Sequence, residues 1–124
     1  MRLSKAEEQV MEFIWKQQKV FMKDIIEQYP DPKPATTTIA TLLKRMQEKG
    51  FVAYNTFGNS REYYPLVDKE NYFSKKVQGL IEYFFNNSPA QFASFFTRET
   101  NLSTSELEDL KKIIDQEIKR KKTW

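Results

Sequence analysis

The stretch "PATTTIATLLKRMQEKG", residues 34–50, reads as one helix that carries three threonines in its first turn. Threonine is a mediocre helix former because its branched side chain loses rotamer freedom, so helix stability alone would rarely favour three together. We expect the helix to begin at Ala35 or Thr36 and to end at Gly50, a residue suited to the left-handed position past a helix end. Its apolar residues recur at helical spacing and predict one buried stripe, which consists of Ile39, Leu42, Leu43 and Met46.

The residues before this helix predict two more helices. In "LSKAEEQVMEFIW", Ser4 stands three residues before Glu7, which is the pattern of a capping box at a helix start. The run "FMKDIIEQYP" predicts a short second helix, which is ended by the prolines at positions 30, 32 and 34. A short helix, a turn and the threonine-bearing helix are typical of a helix-turn-helix unit.

The residues after Gly50 change from a helical to a strand-like pattern. In "FVAYNTFGNSREYYPLV", residues 51–67, β-branched and aromatic residues flank the turn-forming centre "FGNS" and predict a two-stranded hairpin. From Asp68 onward three more helices are expected, one of them capped by Ser88 and the last capped by Ser103 or Ser105. The predicted fold class is mainly α with a small β-hairpin: a winged helix-turn-helix DNA-binding domain at 1–67 and a helical dimerisation domain at 68–124.

The composition excludes most catalytic and metal chemistry. The chain has 124 residues with no cysteine and no histidine, which removes disulfides, thiolate or imidazole metal sites and most nucleophile–base pairs. No glycine-rich phosphate loop is present, so we expect no enzyme activity, no cofactor and no metal. Carboxylates such as Glu7 with Glu8, or Glu106 with Glu108 and Asp109, are the remaining alternative for a magnesium or acid–base site, but their spacing is typical of solvated helix faces.

The threonines are explained if the helix contacts DNA. Unpaired backbone N–H groups and the positive end of the helix dipole suit phosphate oxygens, and small hydroxyl residues allow close approach. Lysine and arginine further along the helix reach phosphate or guanine, and an arginine on the hairpin reaches the backbone or the minor groove. The alternative is that Thr36 only caps the helix and the other side chains are ordinary surface. The candidate DNA-binding residues are Thr36, Thr37, Thr38, Thr41, Lys44, Arg45 and Arg61.

The helices after Asp68 carry six phenylalanines with little sequence to cover them. An apolar surface of that size exceeds what a monomer usually exposes, so we expect exchange with a second copy, which also presents two recognition helices to DNA. Folding back onto the N-terminal domain is the alternative. The candidate dimerisation residues are Phe73, Val77, Leu80, Phe84, Phe92, Phe95, Phe96, Leu107, Leu110 and Ile114.

In this order, "LSKAEEQVMEFIW", "ATTTIATLLKRMQEKGFV", "REYYPLV" and "LSTSELEDLKKII" resemble the penicillinase-repressor, or BlaI/MecI/CopY, family of bacterial winged-helix repressors. The resemblance spans nearly the whole chain. It implies a homodimer on a double-stranded DNA operator with dyad symmetry, which silences genes such as those for β-lactamase or copper handling. In the BlaI/MecI branch it also implies a membrane sensor-protease system that triggers cleavage of the repressor.

Two features depart from the family pattern. The copper-responsive branch carries a C-terminal cysteine cluster, which this chain lacks. The Asn-Phe bond that is cut in the penicillinase branch has no counterpart in "ASFFTRETNLS", where Ser94, Phe95 and Phe96 are the candidate cleavage residues and are equally explained as interface core. The inducing signal therefore stays open.

Two other functions remain compatible with the sequence. Winged helices also bind proteins, and the net charge of only +2 before Asp68, ten basic minus eight acidic residues, leaves room for a protein-interaction module. The phenylalanine-rich region also allows a regulator that senses a small ligand. The absence of a long apolar segment and of a secretory signal predicts a cytoplasmic protein with no membrane insertion.

Overall fold

The computed structural model describes residues 2–123, which divide into two compact units between Ser74 and Lys75. The first unit contains three helices, a small sheet and the first residues of a fourth helix. The second contains the rest of that helix and two more. In chain order the elements are α1 (Lys5–Gln17), β1 (Val20–Phe21), α2 (Met22–Glu27), α3 (Thr36–Glu48), β2 (Val52–Phe57), β3 (Ser60–Pro65), α4 (Lys69–Phe84), α5 (Pro89–Glu99) and α6 (Thr104–Lys122).

Helix α1 begins with the predicted capping box. The backbone N–H of Ser4 donates to Glu7 Oε1 at 2.7 Å, and the backbone N–H of Glu7 donates to Ser4 Oγ at 3.2 Å. Two N–H groups that lack intrahelical partners are therefore satisfied by a reciprocal pair. The helix ends at Gln17, and Gln18 adopts a positive φ of 68°.

The core of the first unit lies between α1, α2, α3 and one face of the sheet. The predicted stripe of α3 is buried in full and packs with residues of α1 and the sheet. Trp15 is part of this core and also holds the residues after β3, because its Nε1–H donates to the carbonyl oxygen of Val67 at 2.7 Å. The buried apolar residues are Leu3, Val10, Met11, Ile14, Trp15, Val20, Ile25, Ile39, Leu42, Leu43, Met46, Phe51, Val52 and Tyr63.

The sheet contains the predicted hairpin and one strand that was not predicted. Its order is β1-β3-β2, all antiparallel, with Val20 opposite Tyr63 and Tyr63 opposite Tyr54. The expectation of a two-stranded sheet was therefore incomplete, because a strand of two residues is too short to show alternation in the sequence. The hairpin turns at Gly58, which has a φ of +58° that glycine adopts without steric cost.

The helices of the second unit start where the sequence predicted. Ser88 caps α5 by accepting a hydrogen bond from the backbone N–H of Gln91 at 3.2 Å. Ser103, not Ser105, caps α6 and forms a capping box with Glu106. Within the described residues, none of the helices combines the length and apolar character needed to cross a lipid bilayer.

Most candidate dimerisation residues are partly or largely exposed in the single chain. Phe84 is 77% exposed, and several others exceed a third. Phe73 differs from the rest, because its ring packs against the core of the first unit and its ring centre lies 5.9 Å from that of Trp15. The exposed members are Val77, Leu80, Phe84, Phe95, Leu107 and Ile114, whereas Phe92, Phe96 and Leu110 are half-buried.

Candidate nucleic-acid interface

Helix α3 has one buried and one polar face. Its buried stripe fixes the helix against α1 and α2, and this leaves the residues between the stripe positions in solvent. All six candidate DNA-binding residues of the helix are exposed, which is the arrangement that contact with an external surface requires. They are Thr36, Thr37, Thr38, Thr41, Lys44 and Arg45.

The start of α3 shows that Thr36 does not cap the helix. Ala35 occupies the N-cap position, and among residues 2–123 no side chain makes a cap hydrogen bond there. The carbonyl oxygen of Ala35 accepts from the N–H groups of Thr38 and Ile39, at 3.1 and 3.3 Å. The N–H groups of Thr36 and Thr37, which precede these, have no intrahelical acceptor by geometry, so this end of α3 suits an anion.

Thr41 makes a hydrogen bond within the helix. Its Oγ1–H donates to the carbonyl oxygen of Thr37 at 2.9 Å. The hydroxyl proton is therefore engaged, whereas the hydroxyl oxygen still accepts and the methyl group stays available for apolar contact. This arrangement suits a thymine methyl group better than a phosphate at position 41.

The hairpin presents Arg61 on the same face as Tyr54. Thr56 pairs with Arg61 and Tyr54 pairs with Tyr63, so Arg61 and Tyr54 are diagonal neighbours. The guanidinium of Arg61 lies over the Tyr54 ring, with its central carbon 4.4 Å from the ring centre. A cation held over an aromatic face keeps its charge exposed while its position is restricted.

An open cleft of about 1070 Å³ lies between α2, α3 and the hairpin. It brings together Thr36, Lys44 and Arg61 from among the candidate DNA-binding residues. The other candidates of α3 do not line it and lie elsewhere on the helix. Its full lining is Phe21, Met22, Lys23, Asp24, Ile26, Thr36, Ala40, Lys44, Gln47, Glu48, Tyr54, Asn59, Ser60, Arg61 and Tyr63.

The cleft contains functional candidates that the sequence analysis missed. Lys23 adds a third cation from the first turn of α2, and Gln47 adds an amide from the last turns of α3. Placing α2 on a helical wheel would have shown Lys23 opposite the buried Ile25. Two acidic residues also line the cleft, but Asp24 is engaged, because its Oδ2 accepts from the backbone N–H of Phe21 at 3.0 Å.

The far end of α3 is held by an ion pair between a half-buried lysine and a buried carboxylate. Lys49 Nζ donates to Glu7 Oε1 at 2.6 Å and to the carbonyl oxygen of Arg2 at 3.0 Å. The Glu7 side chain is only 1% exposed. Burial by itself raises the pKa of this carboxyl, but the hydrogen bonds from Lys49 and Ser4 and the charge of Lys49 lower it more, so the pKa lies below the usual 4.5.

Two of the carboxylates considered for acid–base or metal chemistry, Glu7 and Glu106, have structural roles. Glu7 is engaged with Lys49, and Glu106 closes the capping box of α6, where hydrogen bonds from Ser103 lower the pKa of its carboxyl. Across residues 2–123 the structure holds no cluster of three or more acidic side chains that could bind a metal ion.

The chain is similar to known repressors over nearly its whole length. A sequence model described as "Penicillinase repressor" matches residues 3–116. The penicillinase repressor of Bacillus licheniformis is 27% identical over 98% of this chain and 95% of its own length. The methicillin resistance regulatory protein MecI of Staphylococcus aureus (strain N315) is 28% identical over 92% of this chain and 94% of its own length.

A solved structure resembles the first unit. The solution structure of the DNA-binding domain of the repressor BlaI aligns with a TM-score of 0.51 and 29% identity, covering 57% of this chain and 88% of that domain. The helix-turn-helix and its hairpin are therefore a winged-helix domain. The relatives are repressors and regulators, not enzymes. The protein belongs to the penicillinase repressor family of transcriptional repressors.

Proposed function

We propose that this protein acts in the cytoplasm as a sequence-specific repressor that binds, as a homodimer, a DNA operator with two-fold symmetry. Residues 1–67 would bind DNA and residues 68–124 would hold the dimer together. The observation that carries the proposal is the cleft between α2, α3 and the hairpin. Its lining includes Thr36 at the uncapped start of α3, Lys44 further along the helix and Arg61 on the hairpin.

Each part of this surface has a distinct task on DNA. The first turn of α3 binds a phosphate through backbone N–H groups, and the threonine methyl groups pack on thymine methyl groups in the major groove. Lys44 and Arg45 reach phosphate or guanine along the helix. Arg61, held over Tyr54, contacts the backbone or the minor groove beside the recognition helix.

Dimerisation is supported by the apolar residues of the second unit. Phe85 contacts Phe92 and Phe95, with ring centres 5.5 and 5.4 Å apart, so a small aromatic cluster forms within the unit. Phe84 is 77% exposed, and Phe95 is still 51% exposed although it belongs to the cluster. A second copy that covered these rings would bury apolar area and place two recognition helices on one operator.

Release from DNA by proteolysis is a further part of the proposal. The candidate cleavage residues Ser94, Phe95 and Phe96 lie inside α5, and the connection to α6 is formed by residues 100–103. The cleavage window is therefore helical and does not form the connection between the two helices. Proteases bind extended backbone, so a cut in this window requires α5 to open first.

The experiment is a titration of the full chain on duplex DNA at several salt concentrations. A duplex selected by the protein from a random-sequence library serves as the specific site, and an unselected duplex of equal length serves as the control. Repressor binding predicts tighter binding to the selected duplex and a steep loss of affinity with salt, about 0.9 per phosphate contact on a log–log plot. A shallow salt response without sequence selection would indicate a protein-interaction module instead.

A further inference from the structure

The Glu7–Lys49 pair joins the first turn of α1 to the residue that ends the recognition helix. Lys49 is the C-cap of α3, and its backbone N–H donates to the carbonyl oxygen of Arg45 at 3.0 Å. Its ammonium group donates to Glu7 Oε1 and to the carbonyl oxygen of Arg2. One side chain therefore ties the C-terminal end of α3 to two points on either side of the α1 N-cap.

All of the observed polar contacts of the Glu7 carboxylate are on one oxygen. Oε1 accepts from both Lys49 Nζ and the backbone N–H of Ser4, whereas Oε2 is buried with no hydrogen-bond partner among residues 2–123. The carboxylate is therefore charged, buried and dependent on Lys49. Burying a charge is costly unless it is paired, and well-packed apolar residues would stabilise a core at least as well.

Apolar packing holds α3 in the core, but the hydrophobic driving force itself has no direction. Buried residues of α3 and α1, such as Leu43 and Ile14, belong to one apolar core. A short, charged hydrogen bond has both a length and a direction, so it adds a directional restraint on sliding and rotation of the helix to the restraint from apolar packing. The polar face of α3 can contact base edges correctly only if this register is fixed.

We propose that Glu7 is a positioning residue for DNA recognition, which acts through Lys49 to fix the register of α3 relative to the rest of the winged helix. The inference rests on the function proposed above. Glu7 is buried and is absent from the residues that line the cleft between α2, α3 and the hairpin. Its effect would therefore appear in the ability to distinguish DNA sequences and not in the general attraction to DNA.

For Glu7→Gln, electrostatics and positioning predict opposite changes in affinity for the selected duplex. The substitution keeps the shape of the side chain but removes one negative charge, which raises the net charge from +3 to +4. Electrostatics alone would strengthen binding to any duplex. Positioning predicts that affinity for the selected duplex falls about tenfold, while affinity for an unselected duplex is unchanged or higher.

The matched control is Glu12→Gln on the same helix. Glu12 pairs with Lys69 at 3.0 Å, but both side chains are about half exposed, so the charge change is the same without a buried contact. Each variant is titrated on the selected and unselected duplexes at a temperature where circular dichroism shows it fully folded. If Glu7→Gln and Glu12→Gln give the same ratio of the two affinities as the wild type, the inference is overturned.

A double variant covers the case in which Glu7→Gln does not fold. Glu7→Met with Lys49→Met replaces the pair by apolar side chains of similar length, so no buried charge is left unpaired. A folded double variant with a ratio reduced about tenfold supports positioning, and one with the wild-type ratio overturns it. If the wild type selects no sequence at all, the proposed function fails and the inference fails with it.

Discussion

The guanidinium of Arg61 lies 4.4 Å from the centre of the Tyr54 ring, across the two strands of the hairpin. Tyr54 also packs on the buried Tyr63, with ring centres 5.6 Å apart, so the ring beneath the cation is itself held by the core. The β2–β3 hairpin is the wing of this domain. Its cation, Arg61, is therefore positioned by Tyr54, which in turn packs on the buried Tyr63. An arginine restricted in this way loses less entropy when it contacts DNA than a free one.

Removing the aromatic ring of Tyr54 should weaken the contribution of Arg61 to DNA binding. Tyr54→Leu is expected to lower operator affinity two- to fivefold, because the cation–π contact is worth about 0.5–1 kcal/mol at an exposed site. Tyr54→Phe keeps the aromatic face and is the matched control. Fluorescence anisotropy on the selected duplex measures both, and equal losses in the two variants would show that the ring face does not place Arg61.

Substitutions on the exposed face of α3 should affect DNA binding but not folding. Lys44→Ala and Arg45→Ala are each expected to cost about 1–3 kcal/mol of operator binding for a base contact, or to lower the salt slope by about 1 for a phosphate contact. Thr37→Ala should change sequence preference more than general affinity. Lys16→Ala, an exposed lysine on α1, is the control, and wild-type binding by the α3 variants would contradict the assignment of the recognition helix.

The length of the N-terminal fragment should decide its stability. The ring centre of Tyr72 lies 5.7 Å from the ring centres of both Trp15 and Phe51. Its hydroxyl group donates to Glu8 Oε2 at 2.6 Å. A chain that ends after Ser74 keeps these contacts and those of Phe73, whereas a chain that ends after Val67 loses them. We expect the shorter fragment to be less stable by about 2–4 kcal/mol, which urea unfolding would measure.

The same fragments test the dimer. Sedimentation at micromolar concentration should show a dimer for the full chain and monomers for both fragments, because the fragments lack α5, α6 and the exposed half of α4. A monomeric full chain with undiminished operator affinity would contradict the dimer proposal.

Acid should destabilise the fold through Glu7. The pKa of Glu7 is lower in the folded chain than the usual 4.5, so folding is favoured by its ionised form. Its contribution is fully present above pH 4.5 and is lost as the pH falls below 4.5 through the folded pKa. Urea unfolding from pH 7 downward should show a smaller loss of stability in Glu7→Gln than in Glu12→Gln. Equal acid sensitivity in the two variants would show that the ion pair does not set this dependence.

The cap of α5 should control proteolysis in the candidate window. Ser88→Ala removes the cap that accepts from the Gln91 N–H, which should destabilise the helix by about 1 kcal/mol. Local opening, and therefore cutting after Phe95 or Phe96 by chymotrypsin, should increase about fivefold. Ser103→Ala, which uncaps α6 instead, is the control. An unchanged rate in Ser88→Ala would mean that helix opening does not limit cleavage.

Local signals predicted much of the fold. Ser4, Ser88 and Ser103 each start a helix because their hydroxyl groups accept from N–H groups only three residues away, a relationship that the sequence shows directly. The buried stripe of α3 was equally visible, because helical spacing alone determines which residues share a face.

Long-range relationships were not predictable in the same way. Val20 and Phe21 form a strand only because β3 offers them a partner more than forty residues later in the chain. The partnership of Glu7 with Lys49 joins residues whose spacing of 42 leaves no local pattern, so a carboxylate that looked like solvated surface was in fact buried. The cleft likewise required the sheet to place Arg61 and Tyr54 opposite α3.

Ala35 has a consequence for any attempt to make the protein more robust. A serine or aspartate at this N-cap would stabilise α3 by about 0.5–2 kcal/mol, which makes the position an obvious target for thermostable engineering. The new side chain would occupy the same N–H groups that a phosphate would otherwise bind, and an aspartate would also repel the phosphate. Natural selection for heat resistance and selection for tight gene silencing would therefore favour different residues at position 35, so the most stable version of this fold would be a weaker repressor.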